Sequence, residues 1–165
     1  MFYICSKIPI RSIAALAALG LLLLSLGSAP ALTRDRSIAD PHARARIDQM
    51  NRQNAVVHQL INMNGGSIAF DARSARALRR DLIDSAGEIP KLFRKPLHDR
   101  DSHALPVIWS RWEDFEARAA DAEDAAKGLR TRSLDSLRRT LPAVIQACQS
   151  CHRTYRAEVN EFITH

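Results

Sequence analysis

The sequence predicts an all-α protein built as an antiparallel four-helix bundle. After residue 40, apolar residues recur at spacings of three and four, which is typical of amphipathic helices. No segment alternates polar and apolar residues over a useful length, so strands are not expected. Most of the predicted helices follow one another through short connections, which favour antiparallel neighbours in a bundle.

The first 31 residues are expected to be a secretory signal peptide. Two basic residues precede an unbroken apolar run over residues 13–26, and small residues follow it up to Ala31. The run is shorter than the roughly 18–20 apolar residues that a membrane-spanning helix needs, and a retained membrane anchor is the alternative. Cleavage after Ala31 would leave residues 32–165 as one domain, exported to the periplasm and not associated with the membrane.

The composition argues against nucleic acid as a partner. The whole chain has a formal net charge of +6, and loss of Lys7 and Arg11 with the signal peptide would lower it to +4. The basic residues are scattered among acidic ones, without the dense basic blocks and interleaved aromatic residues of nucleic-acid-binding proteins. This charge instead favours an acidic protein partner.

Cap residues mark the ends of the first two predicted helices. The first should begin at Asp40, whose carboxylate can cap it, with Pro41 in its first turn. Gly65-Gly66 should end it, because glycine accepts the left-handed conformation that closes helices. Asp71 is the predicted cap of the second helix, which runs to about Gly87. The predicted inner positions of the two helices are Ile47, Met50, Val57, Leu60, Ile61, Ala75, Leu78 and Leu82.

The second half of the chain should contain two more long helices. Residues 88–105 are predicted to form a long loop, because they include two prolines. Pro106 should start the third helix and Ser133 should cap the fourth, inside which Pro142 is expected to produce a kink. The predicted inner positions are Ile108, Trp112, Phe115, Ala119, Ala122, Ala126 and Leu129, then Leu134, Leu137, Leu141, Ile145, Cys148, His152, Tyr155, Val159 and Phe162.

The fourth helix carries the motif Cys148-Gln149-Ser150-Cys151-His152, the pattern of covalent attachment of a c-type haem. Cys148 and Cys151 face the same way on a helix, so both thiols can form thioethers with the two vinyl groups at one porphyrin edge. His152 lies one turn beyond Cys148 and can bring its imidazole to the iron as the proximal ligand. The motif therefore predicts one covalent haem c, with its iron, attached to the bundle.

Two other uses of the cysteine pair compete with haem attachment. Redox-active pairs usually lie at a helix N-terminus, which lowers a thiol pKa, whereas this pair lies deep in a predicted helix. A zinc site would need a second pair of ligands, and the histidines at 42, 58, 98, 103 and 165 form no such pair. A disulfide framework is excluded, because only two cysteines remain after Cys5 leaves with the signal peptide.

The run from Cys148 to Arg156, CQSCHRTYR, resembles the class II c-type cytochromes, the cytochrome c-prime family with its methionine-ligated low-spin relatives. In that family the haem motif lies near the C-terminus and is followed by an aromatic and a basic residue, as at Tyr155 and Arg156. Further segments of the chain match the sequence pattern of the family in the same order: Arg46 with Met50, Met63-Asn64-Gly65-Gly66, Phe70-Asp71, Leu92-Phe93 and Ile108-Trp109. Ile47 departs from the family, which often has glutamine at this position.

The resemblance implies roles for three further residues. Met50 would lie over the distal haem face as a distal iron ligand, and Arg46 would bind a haem propionate, whose geometry suits a guanidinium. Arg156 would lie at the proximal face beside the imidazole. Core packing is the alternative account of Met50, and a solvated surface position is the alternative for both arginines. His58 lies on a different face from Met50 and is a weak candidate for an axial ligand.

Two functions remain open at this stage, and they differ at the sixth iron position. If the Met50 sulfur binds iron, the haem is six-coordinate and suits electron transfer with redox partner proteins, which is the favoured interpretation. If Met50 only blocks the distal face, the resemblance implies a five-coordinate protein that binds nitric oxide or carbon monoxide. No enzymatic activity is expected, because no acid–base pair or nucleophile accompanies the haem motif. Pairing through outer helix faces into a homodimer is a further alternative.

Overall fold

The computed structural model describes residues 40–97 and 102–157. The predicted signal peptide and the predicted inner positions Val159 and Phe162 lie outside the described residues. The described residues form six helices: α1 (Pro41–Gly65), α2 (Ala72–Gly87), α3 (Ile89–Phe93), α4 (Val107–Ser110), α5 (Trp112–Gly128) and α6 (Leu134–Tyr155). None of these helices combines the length and the apolar character needed to cross a membrane.

The predicted ends of α1 are confirmed. The Asp40 carboxylate accepts hydrogen bonds from the backbone N–H groups of His42, at 2.7 Å, and Ala43, at 3.1 Å. These groups have no carbonyl partner within the helix, and the carboxylate also interacts favourably with the positive end of the helix dipole. At the other end Gly66 adopts φ +83°, a left-handed conformation that strains a residue with a β-carbon.

The predicted caps of α2 and α6 are also confirmed. The Asp71 carboxylate accepts from the Ser74 N–H at 2.7 Å. Ser133 and Ser136 form a reciprocal pair at the start of α6, in which each hydroxyl accepts from the other residue's backbone N–H. Pro142 lies inside α6 as predicted and its side chain is exposed.

Two details of the predicted secondary structure are wrong. Within 88–105, predicted to be a loop, Ile89–Phe93 forms a short helix with Pro90 in its first turn. Proline is tolerated there because its missing N–H would have no helical partner, and both end residues of this helix are buried. The third long helix is also interrupted at Arg111 (φ −124°, ψ 45°), although helical hydrogen bonds continue on both sides.

The four long helices pack as a closed ring, which confirms the predicted four-helix bundle. α1 packs against α2, α2 against α5, α5 against α6, and α6 against α1. The core has two parts. One part is centred on Val56, Leu60, Met63, Leu82, Leu137, Leu141 and Val144. The other comprises Ala86, Ile89, Phe93, Ile108, Phe115, Ala119 and Tyr155, with Met50 and Cys151 packed against it.

The two adjacent glycines at the end of α1 allow a matched test of this helix end. We expect Gly66→Ala to lower the free energy of unfolding by about 1 kcal/mol, because alanine is strained at positive φ. Gly65→Ala should be neutral or stabilising, because Gly65 is helical and a β-carbon there meets nothing within 4 Å. Denaturant unfolding of the two variants measures the difference, and equal effects would contradict the assigned cap.

Candidate functional site

The three motif residues on α6 line one cavity. Its volume is about 300 Å³, and Cys148, Cys151 and His152 all contribute to its wall. Cys148 and Cys151 are both half-buried and are not joined in a disulfide. The predicted proximity of the three side chains is therefore present in the folded chain.

The rest of the cavity wall comes from α1, α3, α5 and residues 102–108. Its apolar part is formed by Ile47, Met50, Ile89, Phe93, Ala104, Ile108, Phe115, Ala119 and Ala122. Apart from cysteine and tyrosine, every ionisable residue of the wall is an arginine or a histidine: Arg46, His103, Arg118, His152 and Arg156. No aspartate or glutamate among the described residues lines this cavity. The site is thus apolar with a cationic character, which suits a flat apolar ligand that carries carboxylates.

The environment of the thiols argues against a redox-active cysteine pair. Burial raises the pKa of the Cys148 thiol. Burial also raises the pKa of Cys151 to about 11, despite the opposing effect of the Arg118 charge. Catalytic thiols have a lowered pKa, because the thiolate is the nucleophile. Both cysteines are therefore protonated thiols at neutral pH.

The environment of His152 favours the neutral imidazole. Although the residue is exposed by its surface area, partial burial of its side chain lowers its pKa, and the nearby Arg156 charge lowers it further. A neutral imidazole has a free nitrogen lone pair, which is the form that binds metals. Among the described residues, no group of three or more His, Cys, Asp or Glu side chains could hold a bare metal ion.

Arg156 lies at the end of α6, where a short antiparallel bridge covers the cavity. The Leu105 N–H donates to the Tyr155 carbonyl at 2.9 Å, and the Ala157 N–H donates to the His103 carbonyl at 2.8 Å. This pairing holds Arg156 in an extended conformation in the cavity wall, near the imidazole, and its position at the proximal haem face stays a prediction.

Met50 reaches the same cavity from α1. It is half-buried and packs against the cluster that contains Ile89 and Phe93. The two predicted iron ligands, Met50 and His152, therefore come from different helices and line one cavity. His58 is exposed and is not part of the cavity wall, so the described residues offer no support for it as a ligand.

Arg46 is buried, with only 1% of its surface exposed. The alternative interpretation, that Arg46 is a solvated surface residue, is therefore wrong. Its guanidinium donates to the backbone carbonyls of Leu92 (3.0 Å), Leu97 (3.3 Å) and Lys95. It also lies 5.0 Å from the Phe93 ring centre and 5.4 Å from that of Trp109. Arg46 thus fixes residues 92–97, and a propionate contact remains a prediction for its other two N–H groups.

A polar network that the sequence did not predict joins α5 to the haem motif. Arg118 donates to the Asp114 carboxylate at 2.8 Å and to the Ser150 hydroxyl at 2.7 Å, inside the CxxCH motif. The Tyr155 hydroxyl also donates to Asp114. The i,i+4 spacing of Asp114 and Arg118 was a visible signal, but their link to Ser150 needs the tertiary structure.

Gln53 was also missed, although its spacing was informative. It lies three residues after Met50 and seven after Arg46, on the same face of α1, and it lines the cavity. Its side-chain nitrogen Nε2 is buried and has no hydrogen-bond acceptor among the described residues. Among the aromatic residues, Phe93, Phe115 and Tyr155 line the cavity, whereas Trp109 and Trp112 lie outside its wall.

The residues of this cavity fit a covalently bound haem. Two thiols three residues apart face the space with a neutral imidazole beside them, and apolar side chains form most of the remaining wall. Arginines are available for the propionates, and the unpaired Gln53 amide indicates that a group outside the chain completes the site.

The Arg46 contacts predict a large loss of stability when the guanidinium is removed. We expect Arg46→Lys to lower the free energy of unfolding by about 2 kcal/mol, because an ammonium cannot reach three separated carbonyls and leaves buried acceptors unpaired. Arg52→Lys is the matched control, since Arg52 is an exposed residue of α1 paired with Asp81, and its change should stay within about 0.5 kcal/mol. Similar losses in both variants would contradict the role of Arg46.

The Asp114 contacts predict a defined pH dependence. The Arg118 hydrogen bond, and then that of Tyr155, lower the pKa of Asp114 below 3.8. Its carboxylate therefore stabilises the fold fully above about pH 3.8, and this contribution is lost as the pH falls further. We expect Asp114→Asn to lower the melting temperature of the haem-loaded protein by a constant amount from pH 7 to pH 4, and by less below that.

The exposed Asp121 of α5 gives the control for this measurement. Asp121→Asn should leave the melting temperature close to wild type at every pH. If the difference in melting temperature between wild type and Asp114→Asn stays the same down to pH 2, the carboxylate charge is not responsible for the stabilisation.

The comparisons with known proteins show the family of the chain. The family model described as Cytochrome C' matches residues 42–156. Cytochrome c-554 of Cereibacter sphaeroides is 32% identical over 142 residues, which cover 82% of this chain and 93% of that protein. Cytochrome c' of Rhodopseudomonas palustris is 28% identical over 142 residues, covering 82% and 92%.

A solved structure shows the same fold. Cytochrome c' from Rhodopseudomonas palustris superposes with a TM-score of 0.65 at 24% identity, over 72% of this chain and 98% of that one. Proteins of this family hold a covalently attached haem c, which is the cofactor predicted from the CxxCH motif. The bundle, the motif at the end of its last helix and the match over residues 42–156 together establish that the chain belongs to the cytochrome c-prime family.

Proposed function

We propose that the protein is a periplasmic electron carrier with a single covalent haem c. The observation that carries this proposal is that Met50 and His152, from two different helices, line the cavity that also contains both thiols of the motif. Cys148 and Cys151 would bind the porphyrin through thioethers, and His152 would bind the iron from the proximal side. When bound, the haem iron supplies the one-electron couple.

In this proposal Met50 is the distal ligand. A thioether and an imidazole leave no open position on the iron, so little rearrangement accompanies a change of oxidation state, and a thioether ligand raises the reduction potential. The charges of the cavity wall also raise the reduction potential. Arg156 places positive charge beside the site, and this favours the less positive, reduced form of the iron, whereas the charge of Arg118 is compensated by Asp114.

The predicted location and partner follow from the sequence. The predicted signal peptide supports export to the periplasm, where an electron carrier would meet its redox partners. The net charge of +4 expected after cleavage at Ala31 favours partners with an acidic surface.

A second candidate is a five-coordinate protein that binds nitric oxide or carbon monoxide. The apolar side chains of Ile89, Phe93 and Phe115 in the cavity wall favour it, because such a wall admits small neutral ligands and excludes water. In this case Met50 would cover the distal face without binding the iron. The two candidates share the covalent haem and the proximal histidine, and differ only at Met50.

Absorption spectra of the purified haem-loaded protein distinguish the two candidates. We expect the wild-type ferric spectrum to be low-spin, and Met50→Ala to become high-spin, because removal of the sulfur opens the sixth position. Met63→Ala is the matched control: Met63 is a buried methionine of α1 that is not part of the cavity wall, so its variant should lose stability and stay low-spin. A high-spin wild type that Met50→Ala leaves unchanged would favour the gas-binding candidate.

The covalent attachment itself has an independent test. Cys148→Ser and Cys151→Ser, expressed with a cytochrome c maturation system, should each lose one thioether, and the double variant should carry no covalent haem by mass spectrometry of the denatured protein. A wild-type chain without the added mass of haem would reject both candidates.

A further inference from the structure

Three side-chain amides of α1 line the cavity, and Gln53 is the most buried of them, whereas Asn51 and Asn54 are exposed. Gln53 follows Met50 by one helical turn on α1 and lines the same cavity. Its side-chain nitrogen is buried and has no acceptor among the described residues. A buried N–H without an acceptor destabilises a fold, so an acceptor supplied from outside the chain would relieve this cost.

Gln49 shows how the fold treats a comparable amide. It lies one turn before Gln53 on α1, and its side-chain nitrogen donates to the Ser85 carbonyl of α2. The same residue type on the same helix is thus satisfied by the protein at position 49 and left unsatisfied at position 53. The Gln49 amide therefore joins two helices of the bundle, whereas the Gln53 amide is available to bind a ligand.

The surroundings of Gln53 restrict what the acceptor can be. No carboxylate of the described residues lines the cavity. Val57, one turn beyond Gln53, packs against the same part of the core as Cys148. Gln53 would therefore lie towards the porphyrin edge held by the cysteines, which carries carbon substituents, whereas the propionates would lie at the opposite edge. A small ligand bound to the iron on its distal face would supply the missing acceptor.

We propose that Gln53 is the distal hydrogen-bond donor of this protein and that its amide selects small iron ligands whose outer atom accepts a hydrogen bond. This inference rests on the proposed haem site. In the methionine-ligated carrier, such a ligand reaches the iron by displacing the Met50 sulfur. The amide then favours a polar or anionic ligand, such as azide, over the weakly accepting carbon monoxide.

The test uses the haem-loaded Met50→Ala protein, in which the sixth position is open. Gln53→Leu and the matched control Gln49→Leu are each added to it. Two probes are measured: the C–O stretching frequency of the ferrous carbon monoxide complex, and the affinity of the ferric protein for azide. Loss of a donor raises the C–O stretching frequency, because less electron density is drawn to the outer oxygen.

We expect Gln53→Leu to raise the C–O stretching frequency and to weaken azide binding on the order of five-fold, the effect of one hydrogen bond. Gln49→Leu should change neither, whatever it does to stability. Gln53→Glu, measured at pH 8, keeps the shape of the side chain if the leucine variant fails to fold, and its carboxylate should weaken azide binding further.

Two results would overturn the role of Gln53. One is an unchanged stretching frequency and unchanged azide affinity in both Gln53 variants. The other is an equal shift in Gln49→Leu, which would show that any disturbance of α1 is sufficient. Either result with a normal haem spectrum leaves the proposed haem site standing, whereas a colourless protein would reject that site first.

Discussion

The structure depends on one geometric constraint: two thiols and an imidazole leave α6 on the same side and must line one cavity. The same face of α6 supplies Leu137, Leu141 and Val144 to the core before it reaches the motif. A shift of one residue would rotate this face by about 100° and would remove core and site together. The Ser133–Ser136 cap, which fixes where the helix begins, therefore also fixes where the motif points.

The walls of the cavity are held largely by polar contacts to the backbone. A wall beside a cofactor has no protein on one side, so apolar packing alone cannot fix it. Arg46 holds residues 92–97 through three carbonyls, and the Trp109 indole donates to the Phe93 carbonyl at 2.8 Å. On the opposite side Arg118 holds the middle of the haem motif through Ser150. These bonds give a preorganised site in which the apolar side chains take defined positions.

The sequence predicted the elements whose signals are local. Asp40, Asp71 and Ser133 were recognised as caps because a cap needs only the residue and its next turn. The helix Ile89–Phe93 was missed because its stability comes from burial of its two end residues and from the Arg46 clamp, which lies more than 40 positions away. The break at Arg111 contains neither glycine nor proline and left no local signal.

The same distinction applies to the candidate site. Cys148, Cys151 and His152 are close in the sequence, so the motif alone predicted their common position. Met50 and Arg46 were found through the family resemblance, because no spacing connects α1 with α6. Gln53 and Arg118 were missed, since one is defined by the absence of a partner and the other by a contact with Ser150 that only the packed bundle creates.

The bridge between residues 103–105 and 155–157 has a consequence for how the proximal side moves. Helix ends normally fray on their own, as independent units of local unfolding. Here the turn that follows His152 is hydrogen-bonded to a segment that leads directly into α4, through the Tyr155 and His103 carbonyls. Unwinding of the last turn of α6 therefore requires both segments to separate in one cooperative step, which makes the end of α6 more resistant to amide exchange than a free helix terminus.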